Sequence, residues 1–354
     1  MLTYTNNILV DLANNTYLTK HNHPKNMHHP KIAVVEGDGI GKEVIPAALQ
    51  VLDALSLDVE KVPVEIGYGR WERTGRAITE EDFDIFRSCD CIFFGAITTP
   101  PDPEYRSVLI QIRRGFDLYA NIRPIKDVTN GSNIDFTIVR ENTEGMYSGI
   151  EHVFPDAVYS TRVITRRGCE RIAAYACSLA HKKRLTIVHK ANILKSCWLF
   201  RDVCIDIADQ NGIQWEDMLV DAAAHRLVLD PERFEVIVTT NLFGDILSDM
   251  SAALIGGLGV CASANIGTDY ALFEAVHGSA PDIASRGLAN PIAAIMSLVM
   301  MLRWYGAIRE ADAVEAAVSE VVSRGITTPD IGGRCSTTEV ADAIVRVVEE
   351  NLAT

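Results

Sequence analysis

The chain has 354 residues, 48% of them hydrophobic and 23% charged, which is ordinary for a globular protein large enough for two domains and a well-buried core. Its 47 aspartates and glutamates outnumber its 33 lysines and arginines, and the net charge of −14 argues against binding to nucleic acid or to an anionic membrane. No apolar run reaches the roughly 18 residues that a membrane span requires, so no membrane partner is expected.

Residues 1–30 are polar, rich in Asn and His, and without periodicity. They lack the basic start and apolar core of a signal peptide. A disordered N-terminal extension is therefore predicted, in preference to a metal site on its histidines.

The eight cysteines form no C-x-x-C pair and lie mostly in apolar surroundings. This pattern is typical of buried, reduced thiols in a cytosolic protein, so a cytoplasmic location is expected.

From Lys31 onward, strands and helices alternate. A strand at Lys31-Ile-Ala-Val-Val is followed by the glycine turn Gly37-Asp-Gly-Ile-Gly41 and by a helix over 43–55. The spacing is not G-x-G-x-x-G, and no acidic residue closes a second strand about 20 positions later, so a Rossmann fold is rejected. The pattern continues with the strands 62–67 and 90–96 and the helices 79–88 and 107–117.

The pattern of predicted strands and helices changes at Leu118. Strands are predicted over 135–140, 158–165 and 185–189, with helices over 169–180 and 194–208, and from about 256 the chain returns to helices over 291–306, 310–324 and 338–352. These elements predict an α/β protein with a discontinuous first domain, residues 31–117 and 256–354. A second domain, residues 118–255, is inserted into it, and a cleft is expected between them.

A pair of acids follows the β-branched strand Phe234–Thr240. Asp245 and Asp249 lie four residues apart near the start of a predicted helix, so both carboxylates point the same way. Such a pair is either two solvated acids favoured by the helix dipole or a set of hard oxygen ligands for Mg²⁺ or Mn²⁺. The local pattern leaves both interpretations open.

Four basic residues are candidates for binding an anionic substrate or for proton transfer. Arg113, Arg123 and Arg140 are each more often surface or ion-pair arginines, yet arginine is suited to bidentate binding of a carboxylate. Lys190 directly follows the strand 185–189 and is a candidate for proton transfer.

Six motifs occur in order, and together they resemble the isocitrate/isopropylmalate dehydrogenase family of metal-dependent β-decarboxylating dehydrogenases. The resemblance covers residues 31–352 and is closest to archaeal-type isopropylmalate and homoisocitrate enzymes. The motifs are Asp117-Leu-Tyr-Ala-Asn-Ile-Arg-Pro124, Arg140-Glu-Asn-Thr-Glu-Gly-Met-Tyr147, His189-Lys-Ala-Asn192, Asn241-Leu-Phe-Gly-Asp-Ile-Leu-Ser-Asp249, His277-Gly-Ser-Ala-Pro-Asp-Ile-Ala284 and Thr328-Pro-Asp-Ile-Gly-Gly333.

The resemblance implies the family's two-domain fold and an NAD(P)-dependent oxidation of a 2-hydroxy-3-carboxy acid, followed by loss of the 3-carboxylate. It assigns Mg²⁺ or Mn²⁺ to Asp245 and Asp249, with Asp221 contributed by the partner subunit. It gives Tyr147 the protonation of the enol and Lys190, also from the partner, the relay of the hydroxyl proton. The three arginines would hold the malate carboxylates, and a homodimer with shared sites is implied.

The cofactor is expected to be NAD. In this family an acidic residue followed by isoleucine, here Asp282 and Ile283, is typical of NAD users, whereas NADP users carry Lys-Tyr at these places. The resemblance assigns cofactor binding to Glu274, His277, Gly278, Ser279, Ala280, Asp282, Ile283 and Asn290.

The substrate is the open question. At position 107 this chain has a serine, as isocitrate enzymes do. Leu109 and Ile110, however, match the apolar pair that packs the isopropyl group in isopropylmalate enzymes. The expected reaction is therefore conversion of (2R,3S)-3-isopropylmalate to 4-methyl-2-oxopentanoate and CO₂, in leucine biosynthesis. Homoisocitrate or isocitrate is the alternative substrate. A catalytically inactive regulatory paralogue is the alternative of another class, although the metal aspartates, the tyrosine and the lysine are all present.

Overall fold

The computed structural model describes residues 29–102, 104–129 and 131–353. Nearly all of the predicted N-terminal extension, residues 1–28, lies outside the described residues. Within the described ranges, no helix has both the length and the apolar character needed to cross a membrane.

The glycine turn connects the first strand, β1 (Lys31–Val35), to the first helix, α1 (Gly41–Ala54). Gly37 and Gly39 have φ angles of 75° and 55°, which favour glycine. A Cβ atom on Gly39 would lie 1.9 Å from the carbonyl oxygen of Ser279, so this turn packs closely against a distant loop. The predicted tight strand-to-helix turn is confirmed.

The remaining strands follow β1 in chain order: β2 (Glu60–Pro63), β3 (Cys91–Phe94), β4 (Ala120–Lys126), β5 (Asp135–Glu141), β6 (Glu151–Val153), β7 (Val158–Ser160), β8 (Leu185–His189), β9 (Trp215–Leu219), β10 (Val236–Thr239), β11 (Ala262–Ile266) and β12 (Ala271–Ala275). Ten of the described strands form one sheet in the order β2-β1-β3-β12-β11-β4-β5-β10-β8-β9. The pairings of β11 with β12, β11 with β4 and β4 with β5 are antiparallel, and the others are parallel.

The helices after α1 are α2 (Tyr68–Thr74), α3 (Glu80–Arg87), α4 (Val108–Gly115), α5 (Arg166–Leu179), α6 (Lys195–Gln210), α7 (Val220–Leu229), α8 (Asn241–Ala252), α9 (Ile292–Tyr305), α10 (Ile308–Ser323) and α11 (Thr337–Ala353). Helix α9 is buried along most of its length and packs on the sheet beside α1 and α10. The α/β prediction is confirmed, and the predicted long helices agree with the observed ones to within about three residues at each end.

Several elements were missed or misplaced by the sequence patterns. Strands β11 and β12 lie where only a return to helices was expected, and β4, β9, α2 and α7 were not predicted. Strand β11, Ala-Ser-Ala-Asn-Ile, consists largely of small or polar residues and shows no β-branched run, although every residue in it is buried. The predicted strand 158–165 is only β7, which pairs with β6 in a separate two-stranded arm.

Two groups of five strands make up the sheet. Strands β1, β2, β3, β11 and β12 come from residues before 118 and after 255, and β4, β5, β8, β9 and β10 come from the segment between. The two groups meet at the β11–β4 pairing. Because all ten strands belong to one sheet, the division into the domains 31–117 plus 256–354 and 118–255 remains a proposal.

Strands β5, β10 and β8 are parallel neighbours, so their carboxyl ends lie at the same edge of the sheet. Arg140 in β5, the start of α8 after β10, and Lys190 after β8 are all found at this edge. In parallel sheets this edge is where ligands usually bind.

Candidate active site

Arg140 joins the end of β5 to helix α8. Its side chain is only 1% exposed. The Nε and Nη2 atoms donate to Asn241 Oδ1 at 3.1 and 2.7 Å, and Nη1 lies 2.5 Å from Asp245 Oδ1. Gly244 permits this approach, because a Cβ atom there would lie 2.7 Å from the Cβ and Cγ atoms of Arg140.

Arg123, from β4, contacts the same helix one turn further on. Its Nη1 donates to Ser248 Oγ at 2.5 Å and to Asp249 Oδ1 at 2.9 Å, while Nη2 lies 3.4 Å from Asp245 Oδ1. Its Nε donates to Asn121 Oδ1 at 2.8 Å, which fixes the plane of the guanidinium group. Asp245 and Asp249 therefore face one charged cluster together.

Arg113, from α4, is the third buried guanidinium group of the site. Its Nη2 donates to Glu274 Oε1 at 3.0 Å, and both side chains are about nine-tenths buried. Asn265 Nδ2 donates to the same oxygen at 2.7 Å. The Nε atom of Arg113 is buried without a hydrogen-bond partner, and such a donor suits an anionic ligand.

The charges of this cluster shift one another's pKa values. Burial raises the pKa of Asp245, but Arg140, Arg123 and the hydrogen bond from Tyr147 outweigh it and hold the pKa below its usual value. The pKa of Asp249 shifts in the opposite direction. Burial raises it, neighbouring Asp245 adds to the rise, and Arg123 offsets only part of it. Burial, reinforced by Arg123 and Arg113, lowers the pKa of Arg140 to about 9, so this guanidinium group remains charged at neutral pH.

Tyr147 lies in a short 3₁₀ turn over Met146–Ser148 and is partly exposed. Its hydroxyl donates to Asp245 Oδ2 at 2.8 Å. Burial and this contact with a carboxylate raise the pKa of Tyr147, so the phenol keeps its proton at neutral pH. Arg114 Nη2 donates to the carbonyl oxygen of Tyr147 at 2.6 Å and connects the turn to α4.

The oxygen atoms of Asp245 and Asp249 form a donor set of the kind that Mg²⁺ and Mn²⁺ prefer. Both carboxylates keep contact with solvent, with exposed side-chain fractions of 31% and 52%. The residues thus fit a hard divalent cation in composition and access. Among the described residues, no group of three His, Cys, Asp or Glu side chains is arranged to hold a metal, so Asp221 does not join this pair within one chain.

Lys190 and Asp221 instead form their own pair. Lys190 Nζ donates to Asp221 Oδ1 at 2.8 Å, and this hydrogen bond lowers the pKa of Asp221. Lys190 directly follows β8, and Asp221 is the second residue after the neighbouring parallel strand β9.

A pocket of about 180 Å³ adjoins the arginines. Ser107, Leu109, Arg113 and Arg123 line it together with residues from the loop that follows β12. Ser107 Oγ also caps α4 by accepting from the backbone N–H of Ile110 at 3.5 Å. Ile110 itself is half-buried but does not line this pocket, so only Leu109 of the predicted apolar pair is brought to it.

The loop after β12 is fastened to the glycine turn. Ser279 is buried, its Oγ lies 2.7 Å from Thr98 Oγ1, and its carbonyl oxygen accepts from the backbone N–H of Ile40 at 2.9 Å. Ala280 has a φ of 37°, an uncommon value outside glycine that tends to occur at functional loops.

The other predicted cofactor residues differ in their surroundings. His277 Nε2 is buried without a partner, and burial lowers the pKa of His277, so its ring is neutral at neutral pH. Asn290 is buried and donates to Asp330 Oδ2 at 3.0 Å. Gly278 and Asp282 are exposed, and Ile283 is half-buried. Glu274 is held by Arg113 rather than left facing solvent.

The structure adds site residues that the sequence patterns did not single out: Asn121, Ser248 and Asn241 orient the arginines, and Arg114 holds the Tyr147 turn. Asn121, Ser248 and Asn241 lie inside motifs already noted, and their place in those motifs is the sequence signal that could have identified them. Arg114 directly follows Arg113, and nothing in its own spacing marks it.

The comparisons with known proteins agree on one family. The model described as "Isocitrate/isopropylmalate dehydrogenase" matches residues 31–344. The chain is 46% identical to a 3-isopropylmalate/3-methylmalate dehydrogenase of Methanocaldococcus jannaschii, over 90% of this chain and 99% of that protein. It is 43% identical to a homoisocitrate dehydrogenase of the same organism, over 91% of this chain and 99% of that protein.

Solved structures give the same result for the fold. The crystal structure of isocitrate dehydrogenase from Methylococcus capsulatus has a TM-score of 0.87 and 45% identity, covering 90% of this chain and 99% of that one. The names of these three relatives cover all three substrates considered from the sequence.

Proposed function

The chain belongs to the isocitrate/isopropylmalate dehydrogenase family and is a decarboxylating dehydrogenase, and we propose that it oxidises 3-isopropylmalate with NAD, releasing CO₂ and 4-methyl-2-oxopentanoate. The observation that carries this choice of substrate is the position of Leu109, which lines the pocket beside Arg113. The predicted resemblance is confirmed at the level of the family, and the substrate is our proposal.

The balance of charge supports a substrate with two carboxylates. The guanidinium groups of Arg113, Arg123 and Arg140 are matched by the carboxylates of Glu274, Asp245 and Asp249, so these six described side chains have no net charge. A divalent cation together with isopropylmalate, which carries two carboxylates, preserves this balance. Isocitrate and homoisocitrate each bring a third carboxylate, and an uncompensated charge in a largely buried site is costly.

The apolar side of the pocket supports the same substrate. Leu109 and Ile97 line it, and Phe94 lies at its wall. An isopropyl group placed against such side chains gains roughly 1–3 kcal/mol relative to a substrate lacking a methylene there. A carboxymethyl substituent placed against the same apolar surface would bring charge there, with Ser107, the residue before α4, as the polar neighbour of Leu109.

The cofactors follow from the donor groups already described. Asp245 and Asp249 would hold Mg²⁺ or Mn²⁺, which when bound stabilises negative charge on the substrate oxygens. NAD, when bound, accepts the hydride. The unpaired Nε2 of His277 and the exposed carboxylate of Asp282 support a cofactor site along the loop after β12, and Asp282 favours NAD because it would repel a 2′-phosphate.

The chain's own residues then bind and transfer protons. Arg113, Arg123 and Arg140 orient the carboxylates through pre-positioned N–H groups, so little reorganisation is needed when substrate binds. Tyr147 keeps its phenolic proton at neutral pH and can donate it to carbon after CO₂ leaves. Lys190 would relay the hydroxyl proton; because its Nζ donates to Asp221, it must give up a proton of its own before it takes the one from the substrate.

A homodimer is supported by two features of the surface. The two-stranded arm of β6 and β7 exposes Val153, Phe154, Val158 and Tyr159 at 76%, 52%, 61% and 62%. Clustered exposure of this kind marks an interface. Among the described residues of one chain, Asp221 does not join Asp245 and Asp249 in a metal-binding group, as expected if a partner subunit supplies it. All eight cysteines are free, which supports our proposal of a cytoplasmic enzyme.

The test is a substrate panel with purified protein, NAD⁺ and Mg²⁺, following absorbance at 340 nm. We expect kcat/KM for isopropylmalate to be the highest of the three substrates. A higher value for homoisocitrate would make that the function, and Ser107 together with exposed Arg106 is the feature that favours this second candidate. No turnover of any substrate would support the regulatory paralogue.

A further inference from the structure

His189 is a buried residue that the proposed reaction does not use. It ends strand β8 directly before Lys190 and is 2% exposed. Both of its ring nitrogens have partners: Nε2 lies 3.1 Å from Asp217 Oδ2, and Nδ1 lies 3.1 Å from the backbone nitrogen of Ala191. The ring therefore spans from the neighbouring strand β9 to the peptide on the far side of Lys190.

The hydrogen-bond pattern determines the tautomer of His189. The backbone N–H of Ala191 is a donor only, so Nδ1 must accept with its lone pair. Nε2 then carries the proton and donates it to Asp217, whose Oδ2 also accepts from Arg201 Nε at 2.8 Å. Burial, reinforced by the facing charge of Arg201, lowers the pKa of His189 despite the facing carboxylates of Asp217 and Asp202, in agreement with a neutral ring.

The peptide of Ala191 is held from both sides. His189 accepts from its N–H, and the indole Nε1–H of Trp198 on α6 donates to its carbonyl oxygen. The same turn is closed by the backbone N–H of Leu194, which donates to the carbonyl oxygen of Lys190 at 2.9 Å. The direction in which the Lys190 side chain leaves the sheet edge therefore depends on this turn.

We propose that His189 is a positioning residue for the reaction: its neutral Nδ1 holds the Ala191 peptide and thereby aims the ammonium group of Lys190 at the shared active site. This inference rests on the proposed function, in which Lys190 transfers the substrate proton. His189 does not touch the substrate, and its effect passes entirely through Lys190.

Two amide substitutions separate the two halves of the ring. In His189→Asn the side-chain oxygen takes the place of Nδ1 and still accepts from Ala191, but the link to Asp217 is lost. In His189→Gln the side-chain nitrogen takes the place of Nε2 and still donates to Asp217, but the Ala191 N–H loses its acceptor. Thr186→Val is the matched control, because it removes another buried bond between β8 and β9, from Thr186 Oγ1 to Glu216.

We expect His189→Gln to lower kcat about 10- to 100-fold with little change in KM, the scale of misplacing a reacting group by about an ångström. His189→Asn should stay within about threefold of the wild type, since its oxygen restores the acceptor. Thr186→Val should lower thermal stability without lowering kcat. Equal losses in the Asn and Gln variants would overturn the proposal.

A double-mutant cycle gives a readout that a purely structural role would not produce. In a Lys190→Ala background, His189→Gln should change the remaining kcat by less than about twofold, because coupled residues are strongly non-additive. If His189→Gln costs the same factor in both backgrounds, it does not act through Lys190. Should His189→Gln fail to fold, Trp198→Phe removes the opposite hold on the same peptide and should show the same non-additivity.

Amide hydrogen exchange tests the geometry without relying on turnover. The Ala191 amide should exchange faster in His189→Gln than in the wild type, and at the wild-type rate in His189→Asn. If the wild type turns over no substrate, the proposed function fails, and the exchange result alone then decides whether His189 holds the turn. Unchanged exchange in His189→Gln would overturn the inference even in an active enzyme.

Discussion

The hydroxyl of Tyr147 donates a 2.8 Å hydrogen bond to Asp245 Oδ2, while Asp245 Oδ1 lies 2.5 Å from Arg140 Nη1. One carboxylate thus joins the proposed proton donor, a carboxylate-binding arginine and the proposed cation site. Replacing Asp245 should therefore affect all three of these groups.

Asp245→Asn should lower kcat by about 10²-fold or more, the scale of losing a contact that stabilises charge in the transition state. The structure adds a second effect, since Arg140 and Arg123 lose a charged partner. We expect the free energy of unfolding to fall by about 1–3 kcal/mol, typical of a lost hydrogen bond to a charged group. Steady-state kinetics and urea denaturation measure the two effects, and full wild-type activity in the presence of a chelator would contradict the cation site.

Gly244→Ala should be destabilising although alanine is the better helix former. The added Cβ would meet the Cβ and Cγ atoms of Arg140 at 2.7 Å, so the arginine or the helix must move. We expect a loss of about 1–3 kcal/mol from overpacking, together with a raised KM because Arg140 is displaced. A variant as stable and as active as the wild type would show that this close approach is unimportant.

Leu109→Asn should narrow or reverse the preference for isopropylmalate over isocitrate. The amide removes apolar contact with the isopropyl group, worth roughly 1–3 kcal/mol, and offers donors to a third carboxylate. The ratio of kcat/KM for the two substrates is the measurement. Ile110→Asn is the matched control: Ile110 does not line the pocket, so the ratio should change much less.

The preference for NAD⁺ should shift towards NADP⁺ in the double variant Asp282→Lys, Ile283→Tyr. The exposed carboxylate of Asp282 would meet a 2′-phosphate as a like charge, at a cost of several kcal/mol, roughly. Titration with the fluorescent reduced cofactors, NADH and NADPH, gives the two dissociation constants directly. Equal use of both cofactors by the unmodified enzyme would contradict the hypothesis that Asp282 selects NAD⁺.

Mixing two inactive variants tests whether the site is shared. Lys190→Ala and Asp245→Asn damage different halves of the proposed site. If each site takes Lys190 and Asp221 from the partner, random re-association in equal amounts should restore about a quarter of the wild-type activity, since half of the dimers are mixed and each has one intact site. Val153→Asp, which charges the exposed arm, should prevent both dimerisation and this rescue. No recovery in a proven mixed dimer would show that each chain builds its own site.

Helix α8 shows which features of this protein are determined by short stretches of its sequence. The four-residue spacing of Asp245 and Asp249 is sufficient to place both acids on one face of the helix, because helical periodicity is a short-range property. The motifs around Arg123, Arg140 and the loop after β12 likewise identified the family before any contact was known. Strand β11 shows the limit: its Ala-Ser-Ala-Asn-Ile sequence is buried between two neighbouring strands, and only that burial makes it a strand.

Only the tertiary structure decided which charges meet. Arg113 and Glu274 are 161 residues apart, and Arg123 and Asp249 are 126 apart, so no spacing rule links them. The choice between Leu109 and Ile110 as the residue lining the pocket also depended on how α4 is rotated against the sheet, which packing sets and sequence spacing does not. The amino-acid sequence by itself determined the local elements, the chemical groups and the family. The fold decided their pairing, because ion pairs and pockets form between chain segments that only the packing of the sheet brings within a few ångströms of one another.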